Sequence, residues 1–228
     1  MKPFFAIVSL LIAVSVACSA YKSAGSQSPA NSNPAVVQSS AQTSNPDGQD
    51  KPTCQLTLAG APDIKGIRLG MTPEQVLALF PGSNEDADLR SRLSQPPSPF
   101  GVSGFVVRPD KYQSKDKFAE VTQITFTLLD GRVANFSVGY NGPEYSHVDK
   151  FVAKFVEGTN LPAVDQWEAY VGMDNQLKIL KCSEIEIRVF AGGPGGTLNY
   201  ALMRDLAADK KLKDRRDKAR AQATPTPQ

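Results

Sequence analysis

The sequence predicts an α+β fold: an antiparallel sheet of about six strands, covered on one face by two short helices, plus a charged C-terminal helix. Three observations predict it. Segments of period-two alternation follow one another with no helical pattern between them, as an antiparallel sheet requires. Two short segments carry helix-start signals followed by apolar residues at helical spacing. The order of helix then three strands occurs twice, an αβββ-αβββ pseudo-repeat with halves at about 60–141 and 142–204.

The first helix has the densest local information. Thr72 is an oxygen-bearing N-cap candidate, Pro73 suits the first helical position, and Gln75 completes a T-x-x-Q capping box. Met71 and Val76 are spaced as a hydrophobic staple. Val76, Leu77, Leu79 and Phe80 give the helix, expected over 73–80, an apolar face, and Pro81-Gly82 stops it. Ahead of it, Cys54 to Leu58 alternates as a short edge strand would. Behind it, residues 83–100 are polar and broken by prolines, which predicts a long loop with one helical turn near Asp88 to Leu93.

Phe105 to Arg108 reads as a strand ended by Pro109-Asp110. Val121 to Leu129 and Arg132 to Tyr140 flank Asp130-Gly131, a type I′ hairpin signal. Ile124, Phe126 and Leu128 on one arm, with Ala134, Phe136, Val138 and Tyr140 on the other, are expected to face the core. Ser146-x-x-Asp149 is a second capping box. Val148, Phe151, Val152 and Phe155 then fall at helix spacing, with Gly158 as the C-cap residue. Strands over Leu177 to Cys182, Ile185 to Ala191 and Thr197 to Met203 complete the domain, 53–204.

Both ends are appendages. Met1-Lys2, the apolar run Phe4 to Val16 and the small residues around Ala17 form an export signal over 1–18. The run falls short of the ~20 residues a membrane-spanning helix needs. Ser15-Val16-Ala17-Cys18 resembles a bacterial lipobox that would make Cys18 the lipidated first residue, although Ser15 stands where leucine is usual. Cleavage before Cys18 or after Ala20 is the alternative. Residues 19–52 hold hardly a large apolar side chain and are expected to be a disordered tether, with a reach on the order of 30 Å. With Cys18 lipidated, Cys54 and Cys182 remain as an even pair that an oxidising compartment would join. Residues 205–228 are expected to be a charged helix and disordered tail, with eight basic against four acidic side chains in Arg204 to Arg220.

Ile64, Gly66, Gly70, Met71, Thr72, Pro73, Gln75, Val76 and the terminator Pro81-Gly82 resemble the helix-start motif of small envelope lipoproteins of the SmpA/OmlA type. The resemblance implies the helix-plus-antiparallel-sheet fold of β-lactamase-inhibitor-protein-like domains. The proline-rich stretch after Gly82 departs from the tight helical hairpin usual in that group, and no partner-binding residue carries over.

Candidate chemistry is sparse. A formal charge of +2 gives no ground for a nucleic-acid partner. His147, the single histidine, has no aligned nucleophile in the sequence and reads as a surface residue at a helix start. Gly192 to Gly196 lacks the lysine and the strand-loop-helix setting of a phosphate loop and reads as a hairpin connection. Trp167 and Tyr170 read as a cap on the core, with an aromatic ligand platform as the alternative. No cofactor or metal is expected.

The functional expectation is an exported, lipid-anchored, non-catalytic module that binds or scaffolds another protein of the bacterial cell envelope. It would be held to a membrane by its anchor. The alternative is an envelope hydrolase or small-ligand-binding protein with a pocket near Trp167 and the Gly192-Gly196 loop. The basic tail is expected to be a solvated helix, with contact to an anionic surface as the alternative.

Overall fold

The computed structural model describes residues 54–173 and 175–223, all within one compact unit, Gln49–Gln228. The export signal, Cys18 and the 19–52 tether lie outside the described residues. Seven strands form one antiparallel sheet: β1 (Val102–Val107), β2 (Val121–Leu129), β3 (Arg132–Tyr140), β4 (Glu168–Ala169), β5 (Leu177–Lys181), β6 (Ile185–Phe190) and β7 (Asn199–Asp205). Their spatial order is β1-β2-β3-β7-β6-β5-β4. Each half is thus a meander, and the last strands of the two halves, β3 and β7, pair in the middle. The α-helices are α1 (Pro73–Leu77), α2 (Ala87–Leu93), α3 (Val148–Val156) and α4 (Leu206–Ala223). The strand beyond the expected six is β4, two residues long and without a pattern of its own.

The β2–β3 hairpin turns as its sequence requires, with Asp130 at φ 52° and Gly131 at φ 76°, the two left-handed residues of a I′ turn. Ile124, Phe126, Leu128, Phe136 and Val138 are buried, and Phe126 pairs directly with Phe136. One residue departs from simple alternation: the register slips between Thr127 and Leu128, so Val133 as well as Ala134 is buried. That irregularity has a use. Val133 donates to Met71 O and accepts from Gly70 N, each at 2.8 Å. The start of α1 is thereby hydrogen-bonded to β3 beyond the point where β7 stops pairing.

At α1 both halves of the capping box are present: Gln75 N donates to Thr72 Oγ1 and Thr72 N to Gln75 Oε1. The α-helix itself ends at Leu77, and a tighter turn carries the chain to Phe80. Phe80 is fully buried, 4.9 Å from the Phe118 ring. The expected loop over 83–100 is more ordered than its composition suggests. Asp86 caps α2 by accepting from Leu89 N, and also accepts from the Tyr112 hydroxyl at 2.9 Å. Burial of Leu89 against the core then anchors this helix beside β1.

Two further expectations are corrected. Cys54 to Leu58 is not a strand: only Cys54 bridges, parallel to Cys182, and the residues after it run beside the β5–β6 turn, where they bond Ser183 and Glu184 instead of a strand. The cap of α3 is His147 rather than Ser146; its Nδ1 accepts from Asp149 N at 3.2 Å. The Ser146 hydroxyl is left to bond the Lys150 ammonium.

Cys54 and Cys182 form a disulfide, with Cα atoms 4.4 Å apart across a sequence separation of 128. Around it, Leu56 O accepts from Ser183 Oγ, and Leu58 N donates to Glu184 Oε2. The first described residues are thus fastened to the β5–β6 turn.

Candidate functional site

Two surfaces among the described residues are candidates for a ligand or partner, and the strand register defines the first. Side chains that alternate with the core residues form rows across the opposite face. One row runs Val106, Thr125, Ser137, Leu202, Arg188, Ile179. A neighbouring row runs Gln123, Gly139, Tyr200, Phe190, Leu177. The β1–β3 half of this face is small and polar, whereas the β5–β7 half is apolar and aromatic. Phe190 stacks on Tyr200 with centroids 5.2 Å apart. At its rim, Leu198 is 59% exposed and Val106 46%.

The C-terminal helix frames this face. It leaves β7 without a linker, capped by Asp205, which accepts from Ala208 N, so no domain boundary falls at 204/205. Arg204 on the open face joins Glu186 and Asp209. Further along, Arg215 forms a two-point pair with Asp130 at 2.8 and 2.9 Å and donates to Phe100 O at 2.7 Å. Lys211 reaches the same carboxylate at 2.8 Å. These two cations hold the Asp130 carboxyl well below the usual carboxylate range. The helix is solvated over most of its length, as its mixed charge predicts, and is in addition latched to the β2–β3 turn through Lys211 and Arg215. Much of its basic character is neutralised in place.

The second surface is a cleft of about 360 Å³ on the helical side, within the size range of small-molecule sites. One wall is α3, with Phe151, Lys154 and Phe155; the other is the turn at Lys65. Tyr145 stacks on Phe151 at 5.0 Å, and Tyr140 meets the same ring edge-on at 5.4 Å. The Lys65 turn is a two-residue hairpin closed by reciprocal hydrogen bonds between Ile64 and Ile67. It places Lys65 at φ 56°, a left-handed conformation that costs a side-chain-bearing residue about 1 kcal/mol or more. Lys65 Nζ is held by Glu120 at 2.9 Å and by Lys117 O at 3.0 Å. This contact, with a smaller contribution from Lys154, keeps the Glu120 carboxyl below its ordinary pKa. Burial drives the Tyr140 phenol the other way, well above its ordinary value.

Sequence reasoning missed this cleft. Its parts come from residues 62–65, from Glu120, from the end of β3 and from α3, and no linear spacing links them. The one available hint was Lys65-Gly66 between two isoleucines, a turn pattern beside the capped helix. Neither Trp167 nor the Gly192-Gly196 loop lines this cleft; a separate pocket of about 290 Å³, lined by Phe190, Thr197, Leu198 and Asn199, flanks the loop. Trp167 is 3% exposed, donates from Nε1 to Pro162 O at 3.1 Å, and meets Phe155 edge-on. Tyr170 is exposed. The glycine loop connects β6 to β7. Asn199 is buried beneath it, donating to Pro143 O at 2.8 Å and accepting from Gly192 N at 3.1 Å. Among the described residues, no three metal-ligating side chains lie together, and no helix is long and apolar enough to cross a membrane.

The chain matches no protein-family model and no curated protein. Among solved structures, it is similar to an extracellular protein containing a SCP domain from Bacillus anthracis, at 14% identity and a TM-score of 0.36. The match takes in 71% of this chain and 51% of the other, so the chain corresponds to about half of that protein's length.

Proposed function

We propose that this protein is an exported, non-catalytic binding module of the bacterial cell envelope that meets another envelope protein across its open sheet face. The observation that carries the reading is that face itself. Five strands, β1, β2, β3, β7 and β6, contribute accessible side chains to a surface with an aromatic stack, exposed Leu198 and Val106, and a latched helix as its frame. A surface of mixed apolar and small polar side chains suits a protein contact, where aromatic residues serve as anchors. Export is supported by the Cys54–Cys182 bridge, since such bonds persist in oxidising compartments. Lipid attachment at Cys18, and membership of the SmpA/OmlA-type lipoproteins, belong to the same reading and rest on the sequence motifs.

A photo-crosslinking residue at Leu202, on the open face, is expected to give a discrete heterologous adduct in intact cells. The same probe at Ala153, on the exposed side of α3, is expected to give none. No adduct at Leu202, or equal adducts at both positions, would sink the proposal. Mass spectrometry of the mature N-terminus tests the anchor separately: a diacylglyceryl adduct on Cys18 is expected, and an unmodified terminus would remove the anchor from the reading.

A further inference from the structure

We infer that the cleft between α3 and the Lys65 turn binds a small amphiphile with an apolar body and a single carboxylate head. This is a separate site from the open sheet face, and each can fail without the other.

The argument is a matching of hydrogen-bond capacity. The acceptors nearest the turn are already engaged: Glu120 by Lys65, and Asp63 by Gly66 N at 2.7 Å and Arg68 at 3.3 Å. Four donors on the cleft lining have no such partner among the described residues: the hydroxyls of Tyr140 and Tyr145, the Asn141 side-chain amide and the Lys154 ammonium. The Tyr140 hydroxyl makes no hydrogen bond to a described residue, although its ring is packed against Phe151. Lys154, in the last turn of α3, forms no ion pair with a described residue. Glu157, the one other charged lining residue, is the C-cap of α3, three positions after Lys154, and forms no ion pair with a described residue.

The Tyr140 phenol and the exposed Lys154 ammonium stand on the same cleft lining, and a carboxylate can accept from both. Tyr140, Tyr145, Phe151, Phe155 and Leu161 offer apolar surface for the rest of such a molecule. Lys65 fits the same reading. Its left-handed backbone is the kind of local cost that is retained at sites with a task, and its charge neutralises Glu120, which would otherwise repel an incoming carboxylate.

The protein carries its own reporter. Trp167 is the only tryptophan, and it sits edge-on to Phe155, a cleft-lining ring, with centroids 6.4 Å apart. Decanoate, decyltrimethylammonium and decyl maltoside, each below its micelle concentration, would be titrated against the folded domain while Trp167 emission and backbone amide shifts are followed. The expected result is a saturable change with decanoate alone, with shifts confined to residues lining the cleft. Lys154→Gln and Tyr140→Phe are each expected to weaken decanoate binding by about tenfold, the loss of one polar partner, with the melting temperature unchanged because neither group supports the fold.

The inference is overturned if decanoate binding is absent or non-saturable. It is equally overturned if the cationic or neutral amphiphile binds as tightly, if the shifts fall on the open sheet face, or if both substitutions leave decanoate affinity intact.

Discussion

Reducing the Cys54–Cys182 bridge is the sharpest test of how the domain is held together. The bridge closes a loop with a sequence separation of 128, which takes in every described element before β6. In the chain-entropy treatment a loop of that length restricts the unfolded ensemble enough to be worth about 5 kcal/mol at 25 °C. Native strain and residual unfolded structure usually trim such values, so about 3 to 5 kcal/mol is the expected loss. With a urea slope of about 2 kcal/mol per molar, the unfolding midpoint should fall by about 1.5 to 2.5 M. The comparison is between oxidised protein, reduced protein, and the Cys54→Ala/Cys182→Ala double variant, followed by far-ultraviolet circular dichroism. The reduced protein and the double variant should agree closely, because both lose the same constraint. A midpoint shift below about 0.5 M in both would refute the reasoning. It would mean that contacts of Leu56 and Leu58 with the β5–β6 turn fasten the N-terminal segment without the bridge.

Other expectations follow from single contacts. Asn199→Ala leaves Gly192 N and Pro143 O without their buried partner and should cost about 2 to 4 kcal/mol in a urea titration; a cost near zero would mean the loop re-pairs locally. Gly196→Ala should destabilise by about 2 kcal/mol or more, because Gly196 has φ +74° and a Cβ there would strike Pro143 O. Asp130→Asn should release α4 from the β2–β3 turn while leaving thermal stability nearly unchanged, since the pair is solvent-exposed. Limited trypsin digestion reads it: faster cleavage between Lys210 and Arg220 is expected, added salt should mimic it, and an unaltered pattern would argue against the latch. Lys65→Gln should raise the Glu120 pKa toward its ordinary value, read by carboxyl NMR. Because the folded Glu120 pKa is depressed, its stabilising contribution is present above the unfolded value and disappears as pH falls through the folded one. Wild type and variant should therefore converge in stability at low pH.

Much of the architecture was legible because it is written in local physics. The I′ turn at Asp130-Gly131 needs two left-handed residues, and the alternation on either side can bury one face only in one register. The capping box at Thr72 and Gln75 satisfies backbone donors within a single turn. Where the reading slipped, two local solutions were close in energy. Ser146 and His147 can both cap α3, and the choice went to His147 once Ser146 had Lys150 as a partner. The polar stretch 83–100 looked unable to order itself, but one buried leucine and the Asp86–Tyr112 bond, across 26 residues, were enough.

By itself, then, the sequence determined the antiparallel meanders and the start of α1, because each depends on neighbours a few residues apart. Only the tertiary structure decided which strand edge Cys54 would share, where the basic tail would spend its charge, and that Lys65, Tyr140 and Lys154 would converge on one cleft. Those outcomes depend on which distant surfaces meet once the sheet has twisted and the helices have settled on it, and no spacing along the chain encodes that meeting.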